Sequence, residues 1–584
     1  MKKIKPVQLP AVTVPSIQTP SIEVLLLSIL FSGFTVVGHS FAKTGTLNLI
    51  VQSPHAIESS ILRFILLALI YALGIHLLYQ HIRQITADDV KAVAPKHNTF
   101  PYIWAFLFLA WMPYMIAYFP GIFMGDTSAQ ICQFFQLPNG FSESVDLISG
   151  SQLITAHHPV IHTLLMGGCT YLGEMLFHSD VIGIFLYTLL QYSVCSAVLA
   201  YSVTFLRRQG TPRLFRFAVL MIFAFYPTFP RYAMLLSKDA FFACFMLLFQ
   251  IFLIKWIRNP EEMLASKAKQ AAFIGSMVGV LLFRQNGILA VIFGAAILVV
   301  AFRVPQVRRQ LAIAFFLALG FFILYGKVLL PLCEITPGSK REVLSIPFQQ
   351  TARYVSEHGD EVTKEEREAI DAVLNYDYIQ KNYNPNISDP VKKTFNEEAT
   401  STELKAYFKV WFSMFFKHPG CYIQATLANY YGYFYLGYEP ADRHHTYYWN
   451  SSSNYMATRS DTKGFSFYHP TQTKELALYL EKVSDKILAT PILSWIETSG
   501  FYTWALLIIM MYLIYSRNFK YLAVALPALS IFLVCLISPV NGSYYFRYSL
   551  PLAFMIPTLV GTCLKPISVP VFLPSGQSAS DMSF

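Results

Sequence analysis

Charge is what this sequence has least of. Only 13% of its 584 residues are Asp, Glu, Lys or Arg, while 54% are hydrophobic; soluble domains carry about 25% charged residues. That scarcity excludes a water-soluble multidomain protein and leaves a multi-pass membrane protein. Cysteine is sparse as well: the eight are scattered, mostly inside apolar runs, with no C-x-x-C. They form neither a disulfide framework nor a thiolate metal site and read as small core residues. No repeat of about 20 to 50 residues is visible. No A-x-A-like cleavage site follows the apolar run that starts at Ile22, so a retained first span is expected there. The net charge of +10 does not imply nucleic acid, because surplus Lys and Arg in such a chain mark cytoplasmic loops.

What is present is a series of apolar runs. A helix crosses the hydrocarbon core with about 20 mostly apolar residues. The runs fall near 22–38, 61–79, 100–118, 181–205, 213–229, 239–256, 269–283, 287–302, 310–330, 495–515, 520–538 and 549–566. The expected fold class is therefore an α-helical multi-pass membrane protein of about 12 transmembrane helices, with juxtamembrane helices and a mostly α outer domain. The segment 158–177 is the ambiguous one. Lying along the outer surface, it leaves both termini inside, with about 20 Lys and Arg on inner segments against about seven outside, as the positive-inside rule asks. The expected organisation is an N-terminal transmembrane region over 1–333, containing a first outer loop and juxtamembrane helix at 119–180. An extracytoplasmic domain follows over 334–492, and 493–584 holds a C-terminal transmembrane region and short cytoplasmic tail.

One further absence singles out a site. The stretch 119–162 contains no lysine or arginine, yet it carries Asp126 in a Gly-Asp-Thr-Ser turn and then His157-His158-Pro159. A carboxylate at a partly dry interface can serve as general base with a raised pKa. Its plainer role is an Asx turn or helix cap on the amides of Ser128 or Ala129. Pro159 suits the first turn of a surface helix. The two imidazoles can bind a phosphate or sugar hydroxyl, or a divalent metal together with Asp126, or simply hydrogen-bond as interface residues. A second outer cluster is Arg231, Lys238 and Asp239, and Arg284 and Arg547 flank short outer loops. These cations attract phosphate by charge, arginine through its bidentate fork, although snorkelling accounts for a single one without function. In the long insert, Thr363 to Glu366 reads as a capping box. The aromatic stretch 404–438, interrupted by His418-Pro419-Gly420, suits helices at headgroup level.

A Pro-Gly-x-x-x-x-Asp loop after an early span, then His-His-Pro opening an interfacial helix, then a span closed by Arg207-Arg208, resembles the start of GT-C superfamily glycosyltransferases. Protein O-mannosyltransferases and the aminoarabinose transferases that modify lipid A are the most similar members. The chain is also similar to multi-pass proteins of Gram-positive bacteria with Ser-Lys-Asp and Arg-x-Asn-Gly steps. The likeness covers about 100–300, and the late outer domain in layout only. It departs in two places: Gly125-Asp126 stands where many members pair two acids, and Val160 replaces a second proline.

What the resemblance implies is transfer of a sugar from a polyprenyl-phosphate carrier to a glycan, lipid or protein acceptor at the outer face of a bacterial cell membrane. Asp126 would act as general base. Arg231, Lys238, Arg284 and Arg547 would offset charge on the departing phosphate, with His157, His158 and Asp239 also in the binding site. Tyr430, Tyr431 and Tyr433 would stack on sugar rings or pack in a core. The competing class is a transporter or flippase, which needs ionisable residues at mid-membrane; Glu174 and Lys327 are the chief candidates.

Overall fold

A computed structural model describes residues 19–87, 98–137, 139, 153–437, 470–537, 541–542 and 546–564. The basic residues of the N-terminal MKKIK, Lys91, Lys96 and Lys565 lie outside the described residues, as does the middle of the first loop. Helices dominate, and among the described residues the only β contacts are two isolated bridges, Ile122 with Leu235 and Thr155 with Thr336.

The membrane part is built from α1 (Ile22–Thr44), α2 (Pro54–Ala87), α3 (Phe100–Ala117), the short α4 (Gly125–Phe134), α5 (Val160–Phe177) and α6 (Asp180–Arg208). It continues with α7 (Arg213–Phe225), α8 (Thr228–Met234), α9 (Lys238–Arg258), α10 (Lys267–Phe283), α11 (Gly287–Val300) and α12 (Pro305–Leu332). Among the described residues, seven helices are long and apolar enough to cross a membrane: α1, α2, α3, α5, α6, α9 and α12. An eighth is possible if α7 and α8, bent by 48°, form one broken span. Shorter apolar helices of 10–17 residues are α11 and three late helices, 499–515, 519–535 and 550–563.

Burial ranks these helices from lipid to centre. The apolar stretch of α2 is only 11% buried and that of α12 17%, whereas that of α9 is 83% buried. A helix apolar all round belongs inside a bundle, and α9 packs against α6, α10 and both of the last two apolar helices. On α2, Ile61, Leu62, Leu69, Ile70 and Leu73 are all exposed. A patch of that kind has no stable place in water and suits hydrocarbon.

The placement of α5 follows from its partners. Near its start His162 meets Tyr187 and Phe283, whereas further along Gly173 touches Gly183. Gly183 also lies against Cys169 and Thr170, so α5 packs along the first turns of α6. The opposite, basic end of α6 lies level with the end of α9, where Lys255 bonds Tyr201. By length and composition α5 remains one of the candidate spans.

The insert forms a second core of its own, from Phe348, Tyr354, Val355, Ile370, Tyr376, Tyr407, Met414 and Tyr422. Its main helices are α13 (Ser345–His358), α14 (Lys364–Asp371), α15 (Ser401–Lys417) and α16 (Pro419–Tyr430); after the undescribed stretch, α17 (Lys474–Ala489) instead packs Ala477 and Leu480 into the core of the membrane bundle. Thr363 and Glu366 cap α14 reciprocally, at 3.2 and 3.0 Å. The aromatic stretch makes α15 and α16, broken at His418-Pro419, with Phe412, Phe416 and Ile423 exposed. The chain ends with α18 (Ser499–Tyr515), α19 (Phe519–Cys535) and α20 (Leu550–Cys563).

Candidate functional site

Two loops far apart in sequence are stitched together before any side chain is considered. After α3 the chain turns at Phe119-Pro120-Gly121, and Ile122 bonds the backbone of 234–236 on both sides: its N–H donates to Met234 O at 2.8 Å, and its C=O accepts from Leu236 N at 2.9 Å. Gly121 is required at this point, since a Cβ there would lie 2.6 Å from Thr188 Oγ1. Thr127 then closes the first turn of α4, accepting from Met124 N at 3.1 Å and donating to Leu236 O at 3.0 Å. Because Thr127 does the capping, the Asp126 carboxylate projects elsewhere.

It projects at cations. Asp126 Oδ2 lies 3.5 Å from Lys238 Nζ and 3.4 Å from Arg547 Nη1. Lys238 Nζ also lies 3.0 Å from His158 Nδ1. An ammonium has only donors, so Nδ1 accepts and the His158 proton sits on Nε2. The cation bridging histidine and aspartate is thus the protein's own lysine. Among the described residues, no group of three metal-ligand side chains includes Asp126.

The Ser-Lys-Asp step divides its labour. Ser237 caps α9, accepting from Asp239 N at 3.2 Å and donating to Asp239 Oδ2 at 2.7 Å. Asp239, almost fully buried, accepts from Arg284 Nε at 2.9 Å, with Nη2 on the same oxygen. Lys238 alone of the three faces the cleft. The Arg-Gln-Asn-Gly turn is equally specific. Arg284 lies 4.8 Å from the Tyr548 ring centre, Gln285 donates to Ala156 O at 3.1 Å, and Gly287 packs where a Cβ would meet Val280 O at 2.5 Å. Arg547 also rests on Tyr548, at 5.0 Å.

These groups open into a cleft of about 730 Å³ between the end of the helix bundle and the insert, well within the range of small-molecule sites. Its bundle side holds Asp126, His157, His158, Lys238, Arg284 and Arg547, with Val534 and Ile537 as an apolar edge. Its insert side brings Arg341, Glu342, Asp389, Lys392 and Lys393. The Thr155–Thr336 bridge, with Ala156 N on Thr336 O at 2.7 Å, fixes the histidine loop to the start of that wall. Asn541 pins the last loop to the insert, accepting from Gly432 N at 3.0 Å and donating to Ala428 O at 2.6 Å. Six cations against three carboxylates leave the lining positive and suited to an anion.

Electrostatics refine the roles. Burial pushes the Asp126 carboxyl up, but Lys238, His158 and Arg547 outweigh it and hold the group well below the usual carboxylate range. The raised pKa expected from an interfacial position is thus overturned by the cations beside it. Burial lowers His157 to about 4, and burial with Lys238 puts His158 far below its ordinary value, so both imidazoles are neutral at pH 7.

The structure therefore brings together Asp126, His157, His158, Lys238, Arg284 and Arg547, with Asp239 directly behind. It places Arg231 elsewhere: that guanidinium answers to Glu497, Tyr118 and Tyr114 and does not line the cleft. Tyr430, Tyr431 and Tyr433 are buried, Tyr431 stacking on Phe41, so theirs is the core role. The insert residues escaped sequence reasoning, as did His162. His162 is buried with Gln130 on one nitrogen and Tyr187 on the other, and Gln191, bonded to Tyr187, reaches the carbonyls of 233 and 235. The signal was present in His158-Pro-Val-Ile-His162, a second histidine one turn inside an apolar helix.

No curated protein and no solved structure matches the chain. A family model does match, over residues 16–566, and by that match the chain belongs to the family described as a family of unknown function, DUF6020.

Proposed function

We propose that this protein is a GT-C-type glycosyltransferase that moves a sugar from a polyprenyl-phosphate carrier to an acceptor hydroxyl at the outer face of the cell membrane. In this reading the bundle crosses about twelve times, with α5 on the outer surface, both termini inside and the insert outside. The carrying observation is Asp126 within 3.5 Å of both Lys238 and Arg547 at the mouth of a positive cleft with an apolar edge. A lipid phosphate sugar needs those three surfaces side by side: cations for phosphate, apolar wall for the prenyl chain, and an acid near the sugar carbon.

The acceptor oxygen attacks the anomeric carbon, the carbon–oxygen bond to phosphate breaks, and its electron pair leaves on the phosphate. The acceptor proton passes to Asp126, and the single displacement inverts the carbon. Lys238, Arg284 and Arg547 offset the charge growing on the leaving group. Arg231 is not part of this set.

The low basicity of Asp126 fits the same scheme. Its carboxylate shares Lys238 and Arg547 with whatever anion enters. A phosphate drawing both cations toward itself removes the groups that hold the Asp126 pKa down, so donor binding switches the base on.

The rival transporter reading loses its two chief candidates, because Glu174 and Lys327 are both exposed on helix surfaces. The decisive assay supplies labelled polyprenyl-phosphate sugars to purified protein, native and Asp126→Asn. Sugar transfer by the native form alone supports the proposal; equal transfer by both removes Asp126 from the chemistry. Movement of intact lipid across vesicles without product would assign the cleft to transport.

A further inference from the structure

The His418-Pro419-Gly420 break takes no part in the cleft, yet it gathers metal-ligand side chains. His358 ends α13, Glu361 follows in the next turn, and His418 stands between α15 and α16. The two imidazoles stack face to face, centres 3.7 Å apart and planes within 7°. Aromatic rings favour offset or edge contacts over a direct sandwich, and two imidazolium rings in one would repel. A shared partner is what holds this pair: Glu361 Oε2 lies 2.7 Å from His418 Nε2, and Oε1 lies 3.6 Å from His358 Nδ1. Ligand atoms of all three residues lie within 4.8 Å of one another. The neighbouring candidates are otherwise engaged. Glu357 pairs with Arg353 at 2.8 Å, and burial pushes the Cys421 thiol up to about 12, keeping it protonated. What remains is two imidazoles and a carboxylate, each partly open to solvent.

We propose that His358, Glu361 and His418 bind a divalent transition metal, zinc in preference to magnesium or calcium. Imidazole nitrogen suits zinc, whereas magnesium and calcium take oxygen donors. Three protein ligands leave a fourth position for water. The ion takes the place of the proton shared by Glu361 and His418. It ties the far end of α13, whose first turn contributes Ile346 to the cleft, to the joint between α15 and α16.

The test uses the full chain in detergent, stripped with chelator and dialysed against zinc or magnesium. Native protein retains about one zinc per chain and no magnesium, and the single variant Glu361→Gln and the double variant His358→Ala/His418→Ala lose the zinc. Asp126→Asn, altered only in the cleft, keeps it. Cobalt(II) loaded onto native protein gives a second readout that does not depend on how the variants fold, with visible bands of nitrogen and oxygen ligation. Zinc retained by the double variant, no metal on native protein, or a thiolate-to-cobalt charge-transfer band would each overturn the assignment; the second would leave a hydrogen-bonded histidine–glutamate pair only.

Discussion

The two ends of α9 carry the same kinds of cation in opposite settings. At its start Lys238 faces Asp126 and His158, Arg284 is matched to Asp239, and a second domain closes over them. At its finish Lys255 lies over the rings of Tyr201 and Phe252, at 5.1 and 5.2 Å, and Arg258 donates to Tyr521 OH at 3.1 Å. Arg83 does the same with Tyr515 at 3.0 Å. Aromatic rings thus hold the cations at this end, which suits anchoring near headgroups. Carboxylates and neutral imidazoles at the other end hold cations in a defined array. Charge alone does not mark a site; the partner does.

The largest effect that separates the two ends is on turnover. Asp126→Asn should lower transfer about 10³-fold or more while Lys255→Met leaves it unchanged. Membrane yield and a thermal melt would confirm that both variants fold, and a comparable loss in Lys255→Met would erase the distinction. Next, Lys238→Met or Arg547→Ala should cost roughly 10² to 10³ in kcat. Arg231→Gln, outside the cleft, should instead act through stability, and a matching kcat loss with an unchanged melt would return Arg231 to the site.

Acid sharpens the contrast further. Folded His157 stays neutral down to about pH 4, while an unfolded histidine protonates near pH 6.5. The unfolded chain then binds more protons in that window, so stability falls as the pH drops from about 6.5 to 4. His158 adds in the same direction. Asp126, held low when folded, adds to the fall only at the acid end of the window, where an unfolded carboxyl of about 3.9 begins to take a proton. Melting midpoints measured across the window should fall less in His157→Gln than in the native chain; parallel curves would refute the neutral assignment. The smallest effect belongs to the basic end, where Arg258→Ala should cost about 0.5 to 1 kcal/mol in a denaturation midpoint and nothing in kcat.

Much of this site was readable in the chain because its members are punctuation. Asp126, Lys238, Arg284 and Arg547 each interrupt apolar sequence at a helix end, and alternating helices bring such interruptions to one side. Arg231 interrupts sequence in the same way, yet a seven-residue helix turns it toward Glu497; a bend of 48° is invisible in composition. The wall supplied by Arg341, Glu342 and Lys392 was hidden for the opposite reason: in a polar insert full of charges, nothing local says which ones face inward. Span number was blurred by physics too. Helices such as α10, α18 and α19 are 17 residues each, short of a full crossing by length alone. The tyrosines of 430–433 resolved toward packing because Trp504 donates to Phe434 O at 2.7 Å and that segment wedges between α1 and α18.

The backbone pairing of Ile122 with residues 234–236 has a mechanical outcome. Acid and lysine ride on one splint, so thermal breathing cannot pull them apart without tearing two main-chain bonds in a desolvated place. The opposite jaw is a separate folded body, riveted through Thr336 and Asn541. The splinted side of the cleft therefore holds acid and lysine at a fixed spacing.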